Sequence, residues 1–461
     1  MPAYNWPYGQ LYLYLRINEF IHYISHMKYS QYNSLIPVSE ENTILYNATS
    51  DKFMVFTNSA LQEFNKGADH VAKSCQSLFA QLKEVHAIVD DQLDEVEEIR
   101  QIVRNAIEDE SMFELHVNPT LDCNFSCWYC YENHVKGSQM DEQKMESVKK
   151  FIARTLCEKK GLKHFHLSFF GGEPLLYFRR VAFPLIAFAK EQCDSRGIGF
   201  TSHFTSNGYL LNAQMLDCLE GLDMTFQITL DGDPTHHNQT RHLSDGTGSY
   251  ERICNNIQAL AERKHTVILR INYTLANLPS IHSILDTFAT VSTKTKAYIR
   301  VDLQRVWQDS DQKDDNHVLE TDLPRLIKLF HDSGFHVTYH RIYNSARFPC
   351  YGDKRNSLLV NYDGNVFSCT ARNFTSERSE GHILADGSIQ WNGSRKEQRI
   401  ASKFNRTKCH QCHIAPICGG GCTQHALETE DETQCPQGLD EEGIQKMILD
   451  RFEFMFLTER H

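Results

Sequence analysis

The sequence lacks any long apolar run. No stretch of about 18 consecutive apolar residues occurs among its 461 residues, so we expect neither a membrane-spanning helix nor a membrane partner. Its first residues, Met-Pro-Ala-Tyr-Asn-Trp, lack the basic segment and apolar core of a secretory signal. Basic residues are outnumbered: the formal net charge is −12 and no basic stripe stands out, which argues against nucleic-acid binding. These absences favour a cytoplasmic protein.

Cysteine, in contrast, is abundant and unevenly placed. Of the 15 cysteines, three lie within residues 123–130 and seven within residues 350–435. In a chain without a secretory signal, clustered thiols bind metals more often than they form disulfides. The other five stand alone, and we expect each to be a small buried hydrophobic residue: Cys75, Cys157, Cys193, Cys218 and Cys254.

The middle of the chain alternates short apolar segments with helix-length segments. Because such alternation gives parallel strands with right-handed crossovers, it predicts an α/β fold with a partial (β/α)6 TIM-type barrel. We predict an N-terminal α/β unit over 1–110, the barrel over 111–320 and a cysteine-rich domain over 321–461. The predicted strands are 113–118, 164–170, 199–206, 224–230, 267–273 and 297–303, and the helices are 142–156, 181–196, 213–220 and 250–263.

Unusual residues follow the first four predicted strands. In barrels of this kind, the chemistry lies in loops just past the C-terminal ends of the strands. A cysteine loop follows the first strand, and the next three strands are followed by Gly171-Gly172-Glu173-Pro174, Asn207-Gly208 and Asp231-Gly232. Four loops that meet at one rim predict a functional site there.

The cysteine loop has the spacing of an iron–sulfur site. Cys123, Cys127 and Cys130 form a CX3CX2C array. Three thiolates can hold three irons of a [4Fe–4S] cluster and leave the fourth iron open. Zinc is the alternative, with His134 as the fourth ligand that a structural zinc site needs.

This array, with Tyr129 before its third cysteine, resembles the radical S-adenosylmethionine (SAM) superfamily over residues 113–303. The resemblance implies that SAM is cleaved to methionine and a 5′-deoxyadenosyl radical, with Tyr129 packed near the adenine. In the same way, Glu173 would accept hydrogen bonds from the SAM ammonium. Asn272 would also contact SAM, and the alternative is that it is a polar residue that only fills the interior of the barrel. The SAM-binding residues implied by the resemblance are Tyr129, Gly171, Gly172, Glu173, Pro174, Ser206, Asn207 and Asn272.

The seven tail cysteines resemble the SPASM (twitch-type) extension of radical SAM enzymes, which holds two auxiliary [4Fe–4S] clusters. The resemblance implies three clusters in all, with the outer auxiliary one on Cys409, Cys412, Cys418 and Cys435 and the inner one on Cys350, Cys369 and Cys422. The inner set lacks a fourth cysteine, so an open iron and a ligand such as Asp353 or water are alternatives. A pair of zinc knuckles is the alternative for the whole tail.

The resemblance implies a maturase for a ribosomally made precursor peptide. Its partners would be that peptide and an electron donor such as flavodoxin or ferredoxin, and its product a thioether or carbon–carbon crosslink. The pattern of residues 41–57 predicts a hairpin, and helices are predicted to follow it. Together they resemble a winged-helix domain that binds leader peptides. A structural cap on the barrel is the alternative for this N-terminal unit.

Two other functions stay open. A sulfatase-type maturase makes formylglycine from Cys or Ser and typically carries an Asp directly after the cysteine at the Cys369 position, where Thr370 stands here. The other is an iron–sulfur electron-transfer or peptide-binding protein without SAM chemistry. The intact cysteine loop and Glu173 argue against that third function.

Overall fold

The computed structural model describes residues 27–309, 316–338, 345–429 and 431–458, which form two compact units. The larger unit comprises 107–309, 316–338, 350–401 and 453–458, and the smaller one comprises 27–106, 345–349, 402–429 and 431–452. The domain boundaries after residues 110 and 320 stay a prediction. Residues 1–26 of the predicted first domain lie outside the described residues.

An 11-stranded sheet forms the framework of the larger unit. All six predicted strands form within two residues of their expected ends and stand side by side in chain order. The strands are β6 Met112–Val117, β7 His164–Phe169, β8 Gly199–Ser206, β9 Met224–Leu230, β10 Thr266–Tyr273, β11 Ile299–Arg305, β12 His336–Thr338, β13 Ser357–Val360, β14 Asn365–Phe367, β15 Gly381–Ile383 and β16 Ile389–Trp391. Their order in the sheet is β12-β11-β10-β9-β8-β7-β6-β13-β14-β15-β16. The sheet is parallel from β12 to β13 and antiparallel from there to β16, so the chain has an α/β fold with a mostly parallel sheet, consistent with a TIM-type barrel.

Helices cover the apolar face of this sheet. The helix Glu142–Glu158 shows why they form: the Asp141 side chain accepts a hydrogen bond from the Lys144 N–H at its start, and Val148 and Ile152 bury one face. The other helices here are Phe183–Asp194, Ala213–Cys218, Pro234–Thr240, Tyr250–Glu262, Ile284–Thr287, Thr293–Lys296, Asn316–Asp332 and Arg395–Ser402.

The strands alternate sharply between apolar and polar residues. On β6, Leu115 and Val117 join the main apolar core, whereas the intervening His116 does not. The same alternation recurs on the neighbouring strands and gives the second face of the sheet a polar character. TIM-type barrels usually fill their interior with Val, Ile and Leu, so this polar face suits a polar ligand. Its residues include Glu114, His116, His166, His203, Gln227, Arg270, Asn272 and Asp302.

The smaller unit contains two antiparallel sheets. The predicted hairpin forms from β3 (Asn42–Asn47) and β4 (Lys52–Thr57), and β2 (Asn33–Pro37) completes a three-stranded sheet in the order β2-β3-β4. The second sheet pairs β1 (Met27–Tyr29) with β5 (Ile88–Asp90). The helices are Asn58–Phe64, Ala68–Ser74, Gln76–Glu84, Glu95–Ile107, Thr407–His410, Ala415–Cys418, Thr423–Glu428 and Glu441–Thr458. Ile107 and residues 453–458, at the ends of two of these helices, belong to the larger unit.

The three-stranded sheet has an apolar core on each face. On one face, Leu45 and Phe56 pack with helices between residues 58 and 84. On the other face, Ile36 and Tyr46 share a core with Ile448 and with Cys409 of the tail. Residues 402–452 of the tail and the N-terminal sheet therefore belong to one compact unit, although they lie far apart in the sequence.

Among the described residues, no helix combines the length and the apolar character that crossing a bilayer requires. Of the five solitary cysteines, Cys193 and Cys254 are buried as expected. The expectation is wrong for Cys157 and Cys218, which are exposed because helical periodicity turns them away from the buried faces of their helices. Cys75 is half-buried.

Candidate active site

The site lies at the C-terminal ends of four adjacent parallel strands. Strands β6, β7, β8 and β9 are neighbours with continuous parallel pairing, so the loops that follow them emerge at one edge of the sheet. Of the residues predicted to bind the first cluster and SAM, Ser206 ends β8, Asn272 lies on β10 and the others lie in these loops. The convergence expected from the sequence is therefore present.

The glycine pair allows the loop after β7 to lie against the cysteine loop. A Cβ on Gly171 would overlap the carbonyl oxygen of Thr120, and one on Gly172 would overlap that of Asp122. Gly171 also has a φ of +100°, which favours glycine. The Glu173 N–H donates to Asp122 O at 2.8 Å. These glycines therefore serve a close approach of two backbones.

Glu173 ties the loop after β7 to the end of β8. Its carboxylate is fully buried and accepts three hydrogen bonds, from Leu175 N at 3.0 Å, Ser206 Oγ at 2.8 Å and Asn207 N at 2.8 Å. Burial raises the pKa of Glu173 above its usual range, while these donors act in the opposite direction. A carboxylate has about four lone-pair sites, so one acceptor position remains. Pro174 is buried at the start of the helical turn that follows.

Asn207 reaches back to the cysteine loop. Its Nδ2 donates to Asn124 Oδ1 at 2.8 Å and lies 4.0 Å from Cys123 Sγ. Asn207 and Glu173 thus connect three of the four loops through direct hydrogen bonds. The structure therefore brings Glu173, Ser206 and Asn207 together beside the first predicted cluster ligand.

The three thiols of the cysteine loop differ in exposure. Cys123 and Cys127 are half-buried and Cys130 is exposed. Burial, with the Glu173 carboxylate nearby, raises the pKa of Cys123 to about 12. A thiolate at this position therefore requires a neighbouring cation, which metal binding supplies.

The spacing of these side chains distinguishes a cluster from a single ion. Within the described part of the chain, only one group of three or more His, Cys, Asp or Glu side chains has ligand atoms within 4.8 Å of one another, and it lies elsewhere. Cys130 Sγ is 3.6 Å from His134 Nε2, but Cys123 and Cys127 do not join these two atoms in a group compact enough for one ion. A [4Fe–4S] cluster binds each thiolate through a different iron and needs wider spacing. The residues therefore fit the cluster better than zinc.

Tyr129 belongs to a buried hydrogen-bonded triad. Its hydroxyl donates to Asp231 Oδ2 at 2.5 Å and accepts from Arg241 Nη1 at 2.8 Å. Asp231 and Arg241 are 2% and 7% exposed. Asp231 Oδ1 and Arg241 Nε find no hydrogen-bond partner among the described residues. The sequence alone provided no reason to assign a role to Arg241. Its position ten residues after Asp231 was the one feature that pointed to this loop.

Asn272 lies at the same edge, near the end of β10. Its side chain accepts a hydrogen bond from Arg270 Nε at 2.9 Å. Burial raises the pKa of Asp231 above its usual range, and the Asn272 backbone N–H is among the groups that act on this carboxyl in the opposite direction. The position is thus beside the triad.

The tail cysteines divide between the two units. Cys350 and Cys369 belong to the larger unit, where Gly352 lies close to both: a Cβ there would be 3.9 Å from Cys350 Sγ and 3.7 Å from Cys369 Cβ. Asp353 is buried in the turn directly after Cys350. Cys422 belongs to the smaller unit, so the inner set stays a prediction.

The four cysteines predicted for the outer cluster line one cavity of about 390 Å³. Burial, with the neighbouring thiols Cys418, Cys435 and Cys412, raises the pKa of Cys409 to about 12. Cys422 does not line this cavity. As in the first loop, the thiols are spaced too widely to share one ion, so the donor set suits a cluster.

Residues 117–287 match the model of the radical SAM superfamily, so the larger unit contains a radical SAM domain. The uncharacterized protein sll1766 of Synechocystis sp. is 25% identical over 343 residues, which are 66% of this chain and 82% of that protein. The radical SAM cyclopropyl synthase TigE of Paramaledivibacter caminithermalis is 22% identical over 330 residues, 65% of this chain and 65% of TigE. The match thus spans slightly less than two thirds of TigE.

Two solved structures share the fold. The protein anSMEcpe with bound AdoMet, which is SAM, has a TM-score of 0.56 at 17% identity, over 75% of this chain and 93% of that one. Streptococcus suis SuiB bound to the precursor peptide SuiA has a TM-score of 0.51 at 14% identity, over 88% of this chain and 98% of that one.

Proposed function

We propose that this protein is a radical SAM peptide maturase with two auxiliary iron–sulfur clusters. One observation carries the SAM site: Asn207 joins the cysteine loop through Asn124 and joins Glu173 through its backbone N–H. This contact puts a buried carboxylate with one remaining acceptor position beside the predicted cluster ligands. An amino-acid ligand such as SAM needs an acceptor of this kind for its ammonium.

When bound, SAM and the reduced cluster supply a 5′-deoxyadenosyl radical that abstracts hydrogen from an unactivated carbon. The chain's own residues position these groups. Cys123, Cys127 and Cys130 would hold the cluster, and Glu173 would orient the SAM ammonium. Tyr129, which is fixed by its hydrogen bonds to Asp231 and Arg241, would pack against the adenine. Ser206, Asn207 and Asn272 would contact the ribose or carboxylate.

The tail supports an oxidative outcome. The thiol-lined cavity suits the outer auxiliary cluster, and Cys350 and Cys369, with Cys422, would hold the inner one. Two further electron-accepting sites favour a net oxidation of the substrate. We therefore propose a thioether or carbon–carbon crosslink as the product and a flavodoxin or ferredoxin as the electron donor.

A peptide substrate is favoured by the relatives and by the smaller unit. SuiB binds the precursor peptide SuiA, and the larger fold of this chain is similar. Among the described strands, β4 pairs only with β3, and Val55 on it is 50% exposed. Such an edge can accept an extended peptide as an added strand. The N-terminal unit would thus hold the leader of a precursor peptide.

Formylglycine formation is the weaker alternative. The position after Cys369 carries Thr370, whose hydroxyl lies 2.5 Å from the Tyr351 hydroxyl. The Thr370 N–H donates to that same phenol oxygen at 2.9 Å. No carboxylate occupies this position, so the Asp that such maturases typically carry is missing.

Iron content and SAM cleavage test the proposal. We would reconstitute the wild type anaerobically beside a Cys123→Ala/Cys127→Ala/Cys130→Ala variant, with Cys157→Ala/Cys218→Ala as the matched control. We expect about twelve irons per chain to fall to about eight, with 5′-deoxyadenosine release lost, in the first variant only. About four irons with zinc in the wild type, or nucleoside release by the triple variant, would refute the proposal.

Peptide modification needs a second experiment. Synthetic peptides encoded beside the gene would be incubated with the reconstituted enzyme, SAM and dithionite, and then analysed by mass spectrometry. A product that has lost two hydrogen atoms supports a crosslink. Conversion of a Cys or Ser to an aldehyde would support formylglycine formation instead.

A further inference from the structure

A mixed cluster of ligand side chains lies in the helical part of the smaller unit. Glu63 lies near the end of the helix Asn58–Phe64, His70 lies within Ala68–Ser74, and Cys75 follows that helix directly. One ligand atom from each lies within 4.8 Å of the other two. Among the described residues this is the only such group of three or more. None of the three belongs to the proposed clusters.

One carboxylate oxygen is the centre of this arrangement. Glu63 Oε2 lies 2.6 Å from His70 Nε2 and 3.4 Å from Cys75 Sγ. The other oxygen, Oε1, accepts a hydrogen bond from Lys66 Nζ at 2.6 Å. Lys66 therefore fixes the carboxylate so that Oε2 faces the imidazole and the thiol.

The donor set selects the class of ion. Thiolate and imidazole ligands suit zinc, whereas magnesium and calcium prefer oxygen. With zinc–ligand distances of about 2.0–2.3 Å, two donors of one ion lie roughly 3–4 Å apart, so a small contraction of the observed group suffices. About a third of the side-chain surface of Glu63 (36%) and of His70 (32%) is exposed, which leaves a fourth position open to solvent.

We propose that Glu63, His70 and Cys75 bind one Zn²⁺ ion. On binding, the Cys75 thiol loses its proton to solvent, and the proton on His70 Nε2 is also lost to solvent or is exchanged for one on Nδ1. Bonds from Cys75 Sγ and His70 Nε2 to the metal then replace the hydrogen bonds of both atoms to Glu63. Nothing is oxidised or reduced. Because Phe64 and Val71 of the first two helices belong to the apolar core over the sheet β2-β3-β4, the ion would clip these helices together over that sheet.

The test compares zinc content among matched variants of the reconstituted protein. Wild type, Cys75→Ser and His70→Ala would be equilibrated with ZnCl₂, freed of unbound metal and analysed for zinc and iron. Cys157→Ser is the control because it removes a solitary exposed cysteine. We expect the wild type and the control to hold one zinc per chain more than the two site variants, at equal iron content. Equal zinc in all four proteins would overturn the proposal.

Cobalt gives an independent spectroscopic readout. Co²⁺ bound through Cys75 should give a thiolate-to-metal absorption band in the wild type and in Cys157→Ser. The band should be absent from Cys75→Ser. If Cys75→Ser fails to fold, Glu63→Gln retains the size of the side chain and should weaken Co²⁺ binding by about tenfold or more. A wild type without the band would refute the site, whatever the outcome of the SAM assays.

Discussion

The Tyr129 hydroxyl donates to Asp231 Oδ2 at 2.5 Å, across 102 residues of sequence. Arg241 completes the triad, and both charged residues are buried. The loop that carries Cys123, Cys127 and Cys130 is thereby anchored to the loop after β9. The position of Tyr129 depends on a pair of opposite charges that water does not screen.

The Asp231→Asn substitution would test this anchor. It leaves the buried Arg241 guanidinium without its countercharge, and we expect a loss of about 3–5 kcal/mol in the free energy of unfolding. Tyr129→Phe keeps both charges but removes a hydrogen-bond partner from each, and should cost about 1–3 kcal/mol. Denaturant titration measures both effects. Asp286→Asn on the exposed surface is the control and should change little.

The glycine pair gives a second prediction. Gly171→Ala and Gly172→Ala would each push the loop after β7 away from the backbone at residues 120–122. We expect lower iron retention at the first cluster and slower 5′-deoxyadenosine release, measured after anaerobic reconstitution. Gly161→Ala is the matched control, because a Cβ there meets only ordinary contacts at 3.7 Å or more. Full iron content in Gly172→Ala would contradict the steric argument.

The buried His203 should make the free energy of unfolding of the larger unit sensitive to acid. Burial, together with the nearby His166, lowers the pKa of His203 from 6.5 to about 3. As the pH falls, His203 of the unfolded chain binds a proton at a higher pH than His203 of the folded chain. The stability that the neutral, buried His203 contributes is therefore complete above pH 6.5 and is lost as the pH falls toward about 3. In His203→Gln the free energy of unfolding should depend less steeply on pH over that range. His282→Gln at an exposed site should keep the wild-type slope.

Ile448 tests the core shared by the tail and the N-terminal sheet. It is 1% exposed and packs in one cluster with Ile36 and Tyr46. Ile448→Ala should therefore cost about 2–5 kcal/mol and increase hydrogen exchange in β2 and β3. Gln445→Ala on the exposed side of the same helix should leave exchange in these strands unchanged. Protection of β2 and β3 that is equal in both variants would contradict the shared core.

Most of the sheet and the rim of the site could be predicted from the sequence. Strands such as 224–230 alternate between apolar and polar residues over their whole length, so local pattern and parallel topology suffice to place Cys123, Glu173 and Asn207 at one edge. Residues 117–287 match the model of the radical SAM superfamily, which agrees with the family resemblance of this part of the chain.

Long-range pairings could not be predicted in this way. Arg241 follows no periodic pattern that indicates Tyr129, 112 residues earlier, as its partner. The cysteines of the tail could be recognised from their spacing, but nothing in that spacing indicated that Cys409 shares a core with Ile36. The Glu63–His70–Cys75 group was also missed, because one carboxylate, one imidazole and one solitary thiol form no motif.

The discontinuous smaller unit sets an order for biosynthesis. Residues 27–106 leave the ribosome early, but part of their apolar surface is covered only by residues beyond 402. The nascent N-terminal sheet must therefore wait, with Ile36 and Tyr46 uncovered, while residues 107–401 are translated. Chaperone binding during synthesis, and aggregation of fragments that end before residue 402, are the expected consequences of an N-terminal sheet whose core is completed so late.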